Sequence, residues 1–248
     1  MFSVIYTSVL QIQRPHMPPS ARRARKPKQN TTRRNKDGAD MNTLRTQILL
    51  AALPDVAFDG WHDGLVEAAA ARAGIDVSAA DAAFPNGTRE LALYFSSWAD
   101  DEMQKRLARE NLESLRVRDR VARGVEIRLD ILAPWKQAVS SALCHLGTPP
   151  GGLLLPQHVW RSADIIWQAA GDTATDYNRY TKRFLLSGVI TATILYWLGD
   201  DSDGHADTKA FLSRRIDNVL KVGKAAGSAG AKIKQGLAAA KSVGRKRA

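Results

Sequence analysis

This sequence predicts an all-α fold, and three observations carry the prediction. Apolar residues recur at helical spacing from Leu44 onward, and no stretch shows the strict alternation of a half-buried strand. Proline and glycine breakers at Pro85-Asn86-Gly87, Pro134, Gly147 to Gly152, Gly171 and Gly199 to Gly204 cut the chain into helix-length pieces. A single cysteine, Cys144, excludes an intrachain disulfide and a cysteine metal cluster, so packing must hold the helices together.

Taken in order, Leu44, Ile48, Ala51 and Ala52 share one helical face behind a cap at Asn42 or Thr43, and Pro54 with Asp59-Gly60 closes that segment. Short helices follow at Leu65–Ala73 and Ser78–Phe84. A fourth helix starts near Thr88, capped by Thr88 with Glu90, and runs towards Leu115. Longer helices are predicted over Arg118–Leu132, Trp135–Leu146, Leu154–Ala170, Asp176–Leu198 and Ala206–Val222. Arg45, Ile48-Leu49, Gly60-Trp61, Leu65, Ala73-Gly74-Ile75, Phe84, Glu90-Leu91 and Tyr94-Phe95 fall in the order of the N-terminal module of the TetR family, which they resemble. The expected architecture is therefore TetR-like: three short N-terminal helices in a degenerate helix-turn-helix, a larger helical ligand-binding bundle, and a C-terminal amphipathic helix.

Charge argues against DNA reading by that module. The formal net charge is +11, but residues 1–40 hold nine basic and two acidic groups, and residues 221–248 hold eight basic and none acidic. Residues 41–220 carry 19 basic and 23 acidic groups, so the body is mildly acidic. The segment that would enter the major groove, Asp76 to Ala83, offers two carboxylates, one hydroxyl and alanines. Base readout and phosphate contact need cations and amides there, so nucleic acid is not an expected partner. The basic leader, residues 1–40, is expected to be disordered, because Pro15, Pro18, Pro19 and Pro27 prevent a long helix.

No residue set points to catalysis. Glu-x-x-His pairs, a phosphate-binding loop, G-x-G-x-x-G after a strand and H-E-x-x-H are all missing from the sequence. Cys144 and His145 are helix neighbours that point about 100° apart, so Cys144 is expected to pack as a small buried hydrophobe. His16 and His205 are expected to be solvated. A non-enzyme without cofactor or metal is the expectation. The longest apolar run, Phe184–Gly199, is 16 residues, short of the roughly 20 needed to span a bilayer, and predicts a buried helix.

The segment Gly171-Asp172-Thr173-Ala174-Thr175-Asp176-Tyr177-Asn178-Arg179-Tyr180-Thr181-Lys182-Arg183 opens that helix, with Thr175 or Asp176 as its cap. Capping does not explain Tyr177, Tyr180 and Arg183 at i, i+3, i+6. This segment occurs together with Ile48-Leu49-x-Ala51-Ala52-Leu53, Arg128-Leu129-x-Ile131-Leu132-x-Pro134, Asp164-x-x-Trp167-x-x-Ala170-Gly171-Asp172 and Phe211-Leu212-x-x-Arg215-Ile216-x-Asn218. With these the chain resembles, over about Leu44–Val243, the ubiquinone-biosynthesis accessory protein family, ninth of the coenzyme Q series. The resemblance implies a TetR-like fold that binds lipid and assists the demethoxyubiquinone hydroxylase. It places the family's patch beside the lipid entrance on Asp164, Trp167, Asp176, Tyr180 and Arg183. Arg179 stands where the family usually has Trp, and its guanidinium could meet an anionic headgroup instead.

An apolar helix over Leu185–Trp197 must bury against partners or around a ligand, and the residues predicted to line a lipid pocket are Ile165, Ile166, Leu186, Ile190, Ile194 and Trp197. In the tail, Val222, Ala226, Ala229, Ile233, Leu237 and Ala240 form an i+4/i+3 stripe beside Lys224, Lys232, Lys234 and Lys241. Such a helix adsorbs to anionic membrane, with Val222, Lys224, Ile233, Lys234, Leu237 and Lys241 as contacts. The domains expected are a leader (1–40), the degenerate module (41–95), the lipid-binding bundle (96–220) and the membrane-binding tail (221–248). The function read from this is a non-catalytic lipid-binding accessory protein that takes an isoprenoid quinone or other lipid at the membrane and presents it to the hydroxylase. It would sit peripherally on the cytoplasmic face of a bacterial inner membrane, or on the mitochondrial matrix side. A homodimer stays open, as does the alternative of a TetR-like transcriptional regulator with a small-molecule pocket.

Overall fold

The computed structural model describes residues 31–147, 155–175, 177–219 and 221. Residues 1–38 and 39–248 form separate units. The described part of the first is the opening of helix α1, and the second holds the rest. Every regular element among the described residues is helical. The all-α fold predicted from the spacing is the fold found.

Helix α1 spans Thr31–Asp59, passing through Asn42 and Thr43, so neither caps it. Instead the Asn42 carbonyl accepts from Thr46 Oγ1 at 2.9 Å, as in a continuous helix, and from the Tyr94 hydroxyl at 3.2 Å. Nor does Pro54 end it. Pro54 removes one backbone donor, and Arg72 braces the turn around it by donating to the Ala51 carbonyl and to the Asp55 carboxylate. Ile48, Leu49, Ala52, Leu53 and Val56 are buried, so α1 forms one wall of the core.

Helices α2 (Leu65–Arg72) and α3 (Val77–Ala83) follow. Between them Gly74 takes φ +68°, the left-handed conformation a side chain resists. The Gly74 N–H then donates to the Ala71 carbonyl and the Ile75 N–H to the Ala70 carbonyl, closing α2. Asp76 caps α3 by accepting from Ser78 N at 2.8 Å. The solvent face of α3 carries Asp76, Val77, Ser78, Asp81 and Ala82 and no cation.

Helix α4 covers Gly87–Leu107. Thr88 is not its cap. Thr88 is buried and donates to the His62 carbonyl at 2.8 Å, while Glu90 reaches back to the Asn86 N–H at 3.3 Å. The helix also stops eight residues before the predicted end. Leu112 turns into the core in a short 3-10 turn, and Arg120 secures it by donating to the Glu113 and Leu115 carbonyls.

Helices α5 (Val117–Leu132), α6 (Lys136–Gly147), α7 (Leu155–Ala169), α8 (Tyr177–Leu198) and α9 (206–219) complete the bundle. Where α5 crosses α7, Gly124 is required: a Cβ there would lie 2.9 Å from two carbons of Ile166. The α9 motif identified in the sequence has a packing role. Leu212 and Ile216 are buried, and Phe211 stacks on Tyr196 at 4.4 Å with rings 9° apart. Asp200 caps α9 by accepting from Thr208 N at 2.9 Å. Cys144, expected in the core, is exposed, because the buried face of α6 runs through Ala138, Val139, Ala142 and Leu146 instead. His205 packs edge-on to Trp197 at 6.0 Å rather than standing free in solvent.

Candidate functional site

Helices α7 and α8 pack against each other and bring two predicted groups together. Asp164 and Trp167 lie on α7; Arg179, Tyr180 and Arg183 lie on α8. Arg183 is the keystone, with only 2% of its surface exposed. Its Nε donates to Asp164 Oδ1, and its Nη1 donates to Asp172 Oδ2 at 2.9 Å. Lys182 Nζ donates to the other Asp172 oxygen at 2.6 Å and lies 5.3 Å from the centre of the Trp167 ring. Trp167 in turn donates its indole N–H to the Lys182 carbonyl at 3.1 Å.

Asp172 is the residue that sequence reasoning did not assign to the site. It was visible as the end of the Trp-x-x-Ala-Gly-Asp motif, but only the bend at Gly171, φ +87°, aims it back at α8. Its side chain is 3% exposed. Burial alone would raise its carboxyl, yet the hydrogen bonds from Lys182 and Arg183 outweigh burial and hold its pKa below the ordinary value. Asp164 and Asp172 balance the two cations they bind most closely, Lys182 and Arg183, as a buried cluster requires.

Solvent meets a different set of residues. Tyr180 is 61% exposed and Phe184 70% exposed, one helical turn apart on the outer face of α8. Trp160 comes within 6.3 Å of the Tyr180 ring. Arg179 stands beside them, its Nη2 3.6 Å from Asp164 Oδ1. Of the predicted patch, then, Arg179 and Tyr180 face outward, Asp164 is half-buried, and Trp167 and Arg183 form the support beneath. Asp176 lies outside the described residues. Phe184 is an exposed aromatic that the apolar-run argument placed inside.

The predicted lipid-pocket residues do not meet in one place. Ile190 and Ile194 border a cavity of about 90 Å³ between α4, α5, α6, α7 and α8. Ile166, Leu186 and Trp197 are packed in the core. Ile165 faces a separate cleft with Leu107 and Leu112. The predicted membrane contacts Val222, Lys224, Ile233, Lys234, Leu237 and Lys241 lie outside the described residues. A larger concavity of about 700 Å³ opens between α1 and α4, where Leu50, Tyr94 and Trp98 alternate with polar residues such as Asn42, Gln47, Asp101 and Lys105.

A family model described as COQ9 matches residues 154–223, the stretch that contains the Arg183 knot and the exposed aromatics. The chain is 32% identical over 210 residues to "Ubiquinone biosynthesis protein COQ9-B, mitochondrial" of Xenopus laevis, covering 78% of this chain and 69% of that one. The chain belongs to the COQ9 family. The rat COQ9 protein is 32% identical over 208 residues and the human one 31% over 208, each across 78% of this chain. This COQ9-family chain spans 65% of the rat protein's length and 64% of the human protein's. Among solved structures, a TetR transcriptional regulator from Nitrosomonas europaea matches with a TM-score of 0.59 at 20% identity, over 72% of this chain and 98% of that one. That likeness concerns the fold alone. Among the described residues no helix is long and apolar enough to cross a membrane.

Proposed function

We propose that this protein is a non-catalytic accessory protein of ubiquinone biosynthesis that binds an isoprenoid quinone precursor at a membrane and presents it to the demethoxyubiquinone hydroxylase. Membership of the COQ9 family supports the pathway. The observation that carries the mode of action is the α8 face: two exposed aromatics one turn apart, held in place by a buried, charge-balanced knot. Exposed aromatic side chains on a rigid support are what a docking or lipid-transfer surface needs. In this reading Asp164, Trp167, Asp172 and Arg183 fix α7 against α8, while Arg179, Tyr180 and Phe184 meet the partner or the lipid.

Residues 41–95 would serve as a degenerate helix-turn-helix module, residues 96–220 as the lipid-binding bundle, and residues 221–248 as a membrane-binding tail. Ile190 and Ile194 belong to the apolar cavity, and Ile165, Ile166, Leu186 and Trp197 to the walls that would part around a longer ligand. The mitochondrial relatives support a mitochondrial location, and in this reading the protein sits peripherally on the matrix side of the membrane. Regulation of transcription finds no support in α3, whose solvent face presents carboxylates to a polyanion.

Mass spectrometry of lipids that co-purify with the protein tests the central claim. An isoprenoid quinone precursor is the expected finding, and an empty protein would overturn it. Liposome flotation with and without residues 221–248 tests the tail, where unchanged binding after truncation would remove the membrane role.

A further inference from the structure

The 90 Å³ cavity has one feature a lipid slot does not need, a buried arginine in its wall. Arg128 is 5% exposed and its partner Asp100 is fully buried. Arg128 Nε donates to Asp100 Oδ1 at 3.0 Å and to Ser162 Oγ at 3.2 Å, and its Nη2 donates to Ser96 Oγ at 2.9 Å. Ser162 Oγ donates to the same Asp100 oxygen at 2.7 Å. Among the described residues nothing accepts from Arg128 Nη1, and nothing donates to the buried Asp100 Oδ2. Nη1 is therefore the donor that Arg128 has left to offer. Ser96, Arg128, His158 and Ser162 form the polar part of an otherwise apolar wall that includes Phe95, Leu143 and Ile194.

We infer that this cavity is a recognition site for the uncharged, oxygen-bearing end of an amphipathic ligand, a ketone, quinone or phenol, with Arg128 as the hydrogen-bond donor. The inference rests on the lipid-binding reading and adds to it the polar end and its orientation. Size selects an end group: whole-ligand pockets run to roughly 300–1,000 Å³, several times this volume. Charge selects a neutral oxygen. Asp100 already balances Arg128, so a carboxylate or phosphate would bring an uncompensated buried charge. His158 lines the same wall, and burial lowers its pKa, keeping the ring neutral and a poor counter-ion for an anion. The ligand would thus enter polar end first, with its apolar chain trailing towards solvent.

The test is calorimetric titration of the full chain with geranylacetone, geranate and a hydrocarbon of matching length. Geranylacetone is expected to bind at least about tenfold more tightly than either, the worth of one hydrogen bond from a charged donor. Replacing the pair together, Arg128→Met with Asp100→Leu, removes both charges and should abolish that preference. Leu143→Phe, at a half-buried wall position, should weaken geranylacetone binding by about tenfold or more without touching the pair, and serves if the double variant fails to fold. Equal affinity for ketone and hydrocarbon, or tighter binding of geranate, would overturn the site while leaving apolar-ligand binding intact. Ketone affinity unchanged in Leu143→Phe would move the ligand out of this cavity and overturn the site. Failure of all three probes to bind would overturn both this site and the lipid-binding reading.

Discussion

Two buried arginines, Arg128 on α5 and Arg183 on α8, are held in opposite ways. Arg183 is gripped by two carboxylates, Asp164 and Asp172, which also hold Lys182 and Arg179. Arg128 has one carboxylate, two hydroxyls and the Ser96 carbonyl, and lies beside a cavity. The first arrangement suits a scaffold: redundant partners make α7 and α8 one rigid block under the exposed aromatics. The second suits recognition: a single counter-ion leaves the site neutral but not saturated. The number of carboxylates around each guanidinium therefore separates a supporting role from a binding one.

The largest expected effect comes from breaking the less redundant pair. Asp100→Leu strands the Arg128 charge in the core and should cost about 3–5 kcal/mol of stability, measured by denaturant unfolding. Asp172→Ala should cost less, about 2–3 kcal/mol, because Asp164 remains on Arg183. If the two losses are equal, the redundancy argument fails.

Acid should act on the Arg183 knot in a defined direction. The folded pKa of Asp172 lies below its ordinary 3.8. Its contribution is therefore complete above about pH 4 and is lost as pH falls through the lower folded value. Unfolding of the wild type followed from pH 5 to pH 2 should show a steeper fall in stability than Asp172→Ala, and parallel curves would remove Asp172 as the cause.

The smallest expected effect on stability belongs to the outer face. Tyr180→Ala and Phe184→Ala should change unfolding free energy by about 0.5 kcal/mol or less, since neither ring fills the core. Their effect should appear in pull-down of the hydroxylase, which should drop. Undiminished capture would take the docking role away from α8.

Much of this was legible before any coordinates. The period of the apolar residues and the Gly74, Gly171 and Pro134 breakers place the helices of the bundle, because side chains every three or four residues must share a face. The cap residues were less legible. Asn42 and Thr43 look like caps, and Thr88 with Glu90 looks like another, yet Thr88 is committed to the distant His62 carbonyl. The sequence singled out Asp164, Trp167, Tyr180 and Arg183 together, but not how they are layered. Tyr180 and Arg183 are three residues apart and differ by 61% against 2% exposure.

By itself the sequence determined helical content, family, the acidic body and the want of a DNA-reading surface on α3, since each depends on composition or short-range spacing. Only the tertiary structure decided that Asp172 turns back onto Arg183, that Phe184 faces solvent, and that Arg128 borders a cavity rather than filling one. These are contacts between helices, and how two helices rotate against each other is set by their packed side chains, such as Gly124 against Ile166, which no local pattern encodes.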